Sequence, residues 1–340
     1  MNDGLAARLL EALRIETGDA ALGYRGEPAP LRGGFWADLL AFRLDRPPAG
    51  WDGDLVARIM PDPDIAAKER IVQTAVSQAG VPTPAVRGGR GPDNPLGRAY
   101  TVMDLASGAP LLAGLESIGG LVGAPRRLWR MPDVLAAVMA QLHRADAEPV
   151  RAQLAGLAGV SVTLPDMIGW LRSKAELIDR PDLVQAAQWF LDHPDHADEL
   201  VICHGDLHPF NVLDGGGRLT LLDWSVALIA PRAFDVGFTS LLLANPPVAL
   251  PPVGRRPVGA IGRSLAARFV RRYEHHSRTT VSGRDLAWHQ GVACLRALVE
   301  AGGWFHDGLA DERAGHPWLL VGDALSGHLG ALTGAAVRPR

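Results

Sequence analysis

A change of period along the chain constrains its fold more than any other feature. Up to about residue 104 the text offers short apolar runs punctuated by Gly and Pro, with few helical stretches; beyond that point helical spacing dominates. The runs Phe35–Leu44 and Leu55–Met60 read as strands, with turn signals in Pro47–Gly53 between them. Asn2 and Asp3 are placed to cap a first helix carrying Leu5, Leu9, Leu10 and Leu13. Asp62, followed by Pro63, opens a second that runs to about Ala79, where Gly80-Val81-Pro82 stops it. A Gly-rich hairpin over Gly88–Gly97 leads into a strand ending near Asp104. Later, Met131–Arg144 puts Val134, Leu135, Val138, Met139 and Leu142 on one helical side. Pro165–Leu177 and Pro181–Leu191 start helices on first-turn prolines. Two short strands, Leu200–Cys203 and Arg218–Leu222, interrupt them. A Pro-rich loop is expected over Asn245–Pro257, and a frayed tail after Gly334. These periods imply an α+β chain: a small sheet with a packed helix over residues 1–103, a link at 104–108, and a larger, mainly helical portion over 109–340.

The 340 residues suit two lobes, at about 100–200 residues per domain. A net charge of −3 advertises no nucleic-acid surface. Cys203 and Cys294 lie far apart in apolar stretches and read as buried free thiols of a reducing compartment. The start lacks a basic segment followed by an apolar core, and no apolar run reaches membrane-spanning length. A soluble, cytoplasmic protein with no nucleic-acid or membrane partner is the expectation; the oligomeric state is not legible.

Chemistry concentrates in His204-Gly205-Asp206-Leu207-His208-Pro209-Phe210-Asn211 and in Leu221-Leu222-Asp223-Trp224. Phosphoryl transfer needs a carboxylate to orient the acceptor hydroxyl and take its proton. It also needs hard oxygen ligands for the divalent metal that bridges nucleotide phosphates. Asp206 sits just past an apolar strand, Asn211 follows five positions later across a Pro turn, and Asp223 ends the next strand. That is kinase catalytic-loop spacing followed by a metal-binding Asp after a short hairpin.

These segments resemble the aminoglycoside phosphotransferase and choline kinase-like family, which shares the protein-kinase fold in reduced form. Gly205 after His204, and Asp223-Trp224, resemble this family rather than protein kinases. Leu142-His143-Arg144-Ala145-Asp146 resembles the end of its long central helix, and Pro231-Arg232-Ala233-Phe234-Asp235 the stretch whose aspartate braces the catalytic loop. The resemblance covers residues 25–245 well and the last helices poorly. It implies a two-lobed, protein-kinase-like fold and Mg²⁺-dependent transfer of the γ-phosphoryl group of ATP or GTP to a hydroxyl of an antibiotic or metabolite. Asp206 is then the base, and Asn211 and Asp223 hold the metal. Arg58 stands on the strand where a cation meets nucleotide phosphates, and Glu69, eleven residues before Gly80, matches the helix carboxylate that holds it. Arginine at Arg58 departs from the lysine of protein kinases, and its planar fork requires a different geometry. Gly33 and Gly34 offer backbone amides to phosphate, although Phe35 and Trp36 depart from the small hydroxyl residue and asparagine common there. Tyr100-Thr101-Val102-Met103-Asp104-Leu105-Ala106 resembles the family's hinge, which implies that Met103 guards the base pocket and that backbone groups of Asp104 and Ala106 bind the base.

Two other readings stay open. The unusual loop at Phe35-Trp36 suits a nucleotide-binding regulatory protein without transfer activity. His193, His196, His204 and His208 resemble the ligand set of a metallohydrolase, but that reading gives no place to Asn211 or Asp223. Trp288, Trp304, Phe305 and Trp318 read as core, and Arg271-Arg272 with His275-His276 as a solvated helix end. Residues 250–340 hold twelve arginines against seven acidic residues, which leans towards a neutral or acidic acceptor.

Overall fold

The structure, a computed structural model, describes residues 3–31, 37–113, 118–195, 199–247 and 252–339. By packing, the chain forms two compact units. The first holds Met1–Pro110, Glu148–Val160 and Asn211–Val226; the second holds Leu111–Ala147, Ser161–Phe210 and Ala227–Arg340. The chain first leaves the first unit after Pro110, and two later segments rejoin it.

In the first unit, helix α1 (Asp3–Thr17) precedes an antiparallel sheet of β1 (Ala29–Pro30), β2 (Asp38–Phe42), β3 (Leu55–Met60), β4 (Val86–Arg90) and β5 (Ala99–Asp104), in the order β1-β2-β3-β5-β4. Helix α2 (Pro63–Gln78) joins β3 to β4. It starts as its sequence demands: the Asp62 side chain accepts from the amides of Asp64 and Ile65, and Pro63 sits where no amide is needed. Leu9, Leu13, Leu40, Leu55, Ile59, Tyr100 and Val102 close the core, each large apolar side chain contributing about 1.5–3 kcal/mol. Gly89, at φ +154°, lets β4 approach β5, since a Cβ there would lie 2.5 Å from the Tyr100 carbonyl oxygen.

The returning segments complete this unit. A short strand β6 (Ala109–Pro110) pairs with β8 (Val212–Asp214), which pairs with β9 (Leu219–Leu221). Thr83 pins that hairpin, donating its hydroxyl to the Leu221 carbonyl (2.9 Å) and accepting from the Trp224 indole (2.9 Å), while the Leu221 amide donates to the Pro82 carbonyl. Helix α4 (Glu148–Leu154) packs against α2.

The second unit is helical apart from one antiparallel pair, β7 (Leu200–Cys203) with β10 (Leu228–Pro231). Its helices are α3 (Ile118–Leu142), α5 (Leu164–Leu177), α6 (Pro181–Asp192), α7 (Ala233–Ala244), α8 (Pro252–Ser277), α9 (Gly283–His306) and α10 (Pro317–Thr333). Helix α9 is buried along most of its length, with Val292, Leu295, Leu298 and Val299 in a core shared with Phe190, Phe238 and Trp318. No helix among the described residues is long and apolar enough to cross a membrane.

The α+β class is as expected, and the differences have physical reasons. Helix α3 begins well before Met131 because Pro125 and Pro132 sit inside it without ending it, and α8 starts within the expected Asn245–Pro257 loop, carrying Pro257 inside the helix. Strands β8 and β10 escaped detection because three or four residues carry no period. The tail after Gly334 is docked rather than frayed: Ala335 is buried, the Arg180 guanidinium donates to the Arg338 carbonyl, and the Arg338 amide donates to Asp182. Arg272 and His276 are likewise not merely solvated, since both pair with Asp133. Trp288, Trp304 and Trp318 are core residues, while Phe305 is exposed.

Candidate active site

Hairpin β8–β9 carries the candidate residues of the first unit. The Leu222 amide donates to the Asn211 carbonyl (2.9 Å), so Asn211 and Asp223 stand at the same end of the hairpin. Asp223 occupies left-handed backbone space (φ 66°), which aspartate tolerates better than most residues. Its Oδ1 accepts from the Ser225 hydroxyl (2.6 Å) and amide (3.3 Å) in a tight local turn, and a third of the side chain stays accessible. Arg58 reaches Asp223 from β3: Nη2 lies 3.2 Å from Asp223 Oδ1 and Nε 3.1 Å from Glu69 Oε2. One buried guanidinium thus bridges two carboxylates that lie eleven and 165 residues away in sequence.

The burial of Glu69 follows from its helical phase, beside Val72 and Val76 on the inner face of α2. Burial pushes its carboxyl up to about 7, aided by the Asp223 charge, while the charge of Arg58 and the hydrogen bond it donates oppose the rise. Burial works against the charge of Arg58, but Glu69 and Asp223 together outweigh it and hold the guanidinium firmly protonated. Lys68, adjacent and also buried, is drawn down to about 8 by desolvation, with Glu69 and Asp62 resisting.

Of the other residues singled out in the sequence, Met103 is buried on β5, with its sulfur 3.3 Å from the Gln73 amide nitrogen. Asp104 binds Arg87 through both carboxylate oxygens (2.6 and 2.7 Å), and its amide donates to the Ala85 carbonyl. Ala106 is half-buried in the stretch that follows β5. Gly33 and Gly34, with Phe35 and Trp36, lie outside the described residues.

A second group of candidate residues lies within the other unit. Strand β7 delivers His204-Gly205-Asp206, and Asp235, in the first turn of α7, braces that loop. The Asp235 Oδ2 accepts the His204 amide (2.8 Å) and Oδ1 the Gly205 amide (2.7 Å). His143, ending the long helix α3, touches Asp235 Oδ2 (3.0 Å) through Nε2 and the Tyr273 hydroxyl (2.7 Å) through Nδ1. Burial alone would raise the Asp235 carboxyl, but His143, His204 and the Gly205 amide bring it below the ordinary range. Gly205, at φ 75°, supplies the left-handed turn that swings Asp206 out of the strand direction.

Asp206 itself, about a quarter exposed, meets Arg296, which is absent from the sequence reading, and His208. Arg296 of α9 donates Nη2 to Asp206 Oδ1 (2.7 Å) and Nη1 to the Gly205 carbonyl (2.5 Å), with its guanidinium 4.6 Å above the Phe238 ring. His208 accepts the Phe210 amide on Nδ1 and turns Nε2 to Asp206 Oδ2 (3.5 Å). Burial would raise the Asp206 carboxyl; the His208 hydrogen bond and the charges of Arg296, His208 and His204 outweigh it and hold it well below the usual carboxylate range. The only signal for Arg296 was a lone charge in the apolar run Val292–Val299, and nothing in that run names its partner 90 residues upstream.

Among the described residues, His193, His204 and His208 do not form one constellation. His193 stacks on Trp189 at the end of α6, His196 lies outside the described residues, and the buried His204 accepts the Asp206 amide through Nδ1. Among the described residues, the group whose ligand atoms sit close enough for a metal is His143, Cys203 and Asp235. Both His143 nitrogens and both Asp235 oxygens are engaged in hydrogen bonds, and burial drives the Cys203 thiol well up. That is a braced hydrogen-bond cluster rather than a metal centre.

Solved structures share this fold. A protein of Ralstonia eutropha JMP134, provisionally assigned as an aminoglycoside phosphotransferase, aligns over 98% of both chains at 18% identity with a TM-score of 0.66. Aminoglycoside phosphotransferase APH(4)-Ia aligns over 99% of this chain and 100% of its own, at 18% identity and a TM-score of 0.59. A choline/ethanolamine kinase family protein from Mesorhizobium loti covers 98% of this chain and 99% of its own, at 19% identity and a TM-score of 0.52. A comparison with curated proteins returns no match. At these identities the likeness establishes the kinase-like fold. Sequence carries the assignment further, because the model of the phosphotransferase enzyme family matches residues 49–286 and so spans Arg58, Glu69, Asp206, Asn211, Asp223 and Asp235 alike. With more than half of its length inside that match, the chain belongs to the phosphotransferase enzyme family.

Proposed function

We propose that this phosphotransferase moves the γ-phosphoryl group of ATP or GTP onto a hydroxyl of a small molecule, with Mg²⁺ as its metal. The observation that carries this reading is the end of hairpin β8–β9. There Asp223 and Asn211 stand at the same end of the hairpin, and a guanidinium is bridged between Asp223 and Glu69. Asp223 and Asn211 offer hard, accessible oxygens of the kind a divalent cation of the magnesium class prefers. These two residues would hold the metal, which when bound neutralises phosphate charge. Arg58 supplies a fixed cation for the phosphates, and Glu69 keeps it in place. Met103, the Asp104 carbonyl and the Ala106 amide would take the base, and Gly33-Gly34 the phosphates.

The acceptor side is Asp206. Its Oδ2 orients the acceptor hydroxyl; the hydroxyl oxygen forms a bond to γ-phosphorus as the bond to the β–γ bridging oxygen breaks. The nucleoside diphosphate leaves with that electron pair, and the hydroxyl proton passes to Asp206 and on to solvent. A carboxylate held well below the ordinary range is a weak base, which suits a loose transition state in which positioning outweighs proton removal. APH(4)-Ia, in a thermostable mutant, has been crystallised as a ternary complex with AMP-PNP and hygromycin B; its use of a nucleotide and a small hydroxylated acceptor supports the same class here.

The test is a screen of hydroxyl compounds for nucleoside diphosphate release with Mg²⁺, run on the parent and on Asp206→Ala. Mass spectrometry should show one acceptor gaining a phosphoryl group, with release lost in the variant. Unchanged turnover in Asp206→Ala would refute the role given to it.

A further inference from the structure

Helix α7 holds the backbone of the segment that bears Asp206 from both sides. Asp235 accepts the His204 and Gly205 amides, and the Thr239 hydroxyl, one turn further along, donates to the Leu207 carbonyl (2.7 Å). The path of the chain around Asp206 is thereby set without α9. What α9 adds acts on the side chain. Arg296 joins the Asp206 carboxylate to the carbonyl of the residue before it, with Nη2 on Oδ1 (2.7 Å) and Nη1 on the Gly205 oxygen (2.5 Å). A carboxylate on a fixed backbone still has three staggered choices at χ1 and a broad χ2. A planar fork whose other prong ends on the backbone removes that freedom. His208 meets the second oxygen, Oδ2, at a longer 3.5 Å.

The fork has a fixed seat. The Arg296 side chain is only 11% exposed, its guanidinium stands 4.6 Å above the Phe238 ring, and Val292, Leu295 and Val299 around it on α9 are buried. A charge in such a helix carries a desolvation cost that an apolar side chain of similar length would avoid. The groups that offset it are Asp206 and the Gly205 carbonyl. Arg296 also lies beyond residues 49–286, the stretch matched by the family model, so membership of the family assigns it no role. Its two effects on Asp206 oppose each other. The charge lowers the carboxyl and weakens it as a base, whereas the fork fixes its direction. In a loose phosphoryl transfer, positioning outweighs proton removal. A misplacement of about 1 Å can cost about 10²-fold, so losing the fork outweighs the basicity regained.

We propose that Arg296 is a positioning residue for phosphoryl transfer, tying Asp206 Oδ1 to the Gly205 carbonyl and so fixing the direction in which the carboxylate meets the acceptor hydroxyl. The role rests on the phosphotransfer reading and adds to that site a residue from the helix beyond the family match.

Two arms test it on the full-length protein, with thermal unfolding of every variant recorded. In the first, nucleoside diphosphate release from Mg²⁺–ATP and Mg²⁺–GTP is followed across pH, with water as acceptor and with any acceptor found by the hydroxyl screen. The variants are Arg296→Met, Arg296→Lys and Thr239→Val. In Arg296→Met the neutral-pH plateau of kcat should fall by about tenfold or more while KM for the nucleotide holds. Arg296→Lys, which keeps the charge but has no fork, should recover part of that loss and stay below the parent. Thr239→Val loosens the same segment without touching the Asp206 carboxylate, so it should lower the melting temperature and leave the plateau near the parent's. A plateau unchanged in Arg296→Met, even with the acid limb displaced, overturns the proposal, because the guanidinium would then act by charge alone. An equal loss in Thr239→Val overturns it too. Should Arg296→Met fail to fold, Arg296→Lys carries the comparison, and a plateau equal to the parent's decides against the fork. The second arm needs no turnover: the carboxyl carbon of Asp206 is observed by NMR in protein labelled at its aspartates, with the signal assigned through Asp206→Asn. It should move towards the position of free aspartate in Arg296→Met, and an unmoved signal refutes the tie. If the parent releases no diphosphate, or Asp206→Ala matches it, while the signal moves as expected, phosphotransfer through Asp206 fails and the hold of Arg296 on that carboxylate stands.

Discussion

Asp223 and Asp206 each follow a short strand, keep part of the carboxylate accessible and take an arginine from far away in the sequence. The arginines are anchored differently. Arg58 is divided between Asp223 and the fully enclosed Glu69, so it has a second carboxylate to stay on when Asp223 turns to another cation. Arg296 is committed to Asp206 and to the carbonyl next to it, with Phe238 beneath. The contrast separates a carboxylate suited to exchanging partners, as a metal ligand must, from one suited to holding a single posture, as an orienting group must.

The largest effects should come from deleting either carboxylate. Asp206→Ala should lower kcat by about 10²–10⁴-fold while calorimetry shows Mg²⁺–nucleotide binding retained, whereas Asp223→Ala should lower both. Equal loss of nucleotide binding in the two variants would erase the distinction drawn above.

Arg58→Met should cost about 3–5 kcal/mol of folding stability, because it strands Glu69 in the interior without its cation. The cost should depend on pH. The folded-state value of Glu69, about 7, lies above the ordinary unfolded value, so its proton is held in the folded state between about pH 4.5 and 7. The stability this contributes is lost as pH rises through that window. Urea unfolding of Arg58→Met should therefore show a larger deficit at pH 8 than at pH 6, and a flat difference would mean Glu69 does not depend on Arg58.

Arg296→Met should act in the opposite direction on pH. Asp206 has a depressed value, so its ionised form persists to unusually low pH, and its contribution disappears only as pH falls through the folded value. Removing the guanidinium should move the acid limb of kcat/KM upward, towards the ordinary aspartate range near 4. An acid limb that stays in place would show that Arg296 does not set the charge of Asp206. The smallest effect concerns the hairpin of the first unit alone: Thr83→Val removes the acceptor of the buried Trp224 indole and should cost about 1–3 kcal/mol. A neutral result would show that the hairpin bearing Asn211 and Asp223 is held mainly by its β6 pairing.

How much of this was legible in the sequence follows the range of the interactions. Asp62 and Glu69 could be read because a helix cap and a helical face are set within a few residues. The spacing of Asp206, Asn211 and Asp223 could be read because one loop and one hairpin carry all three. Arg296 could not be assigned, since its partner lies 90 residues upstream and a buried helix hides the reason for a charge. The docked tail escaped for the same reason: Arg338 is held by Arg180 and Asp182, more than 150 residues before it. The role of Gly33 and Gly34 falls on residues outside those described.

The brace at Asp235 has a consequence for heat resistance. Its two oxygens close on the His204 and Gly205 amides and on His143, in a spot with no solvent access. The loop bearing Asp206 is thereby fastened to the first turn of one helix and the last turn of another, and has no local way to loosen. Thermal inactivation should then coincide with melting of the helical unit, rather than run ahead of it as it does where a reactive group rides on a loosely tethered loop.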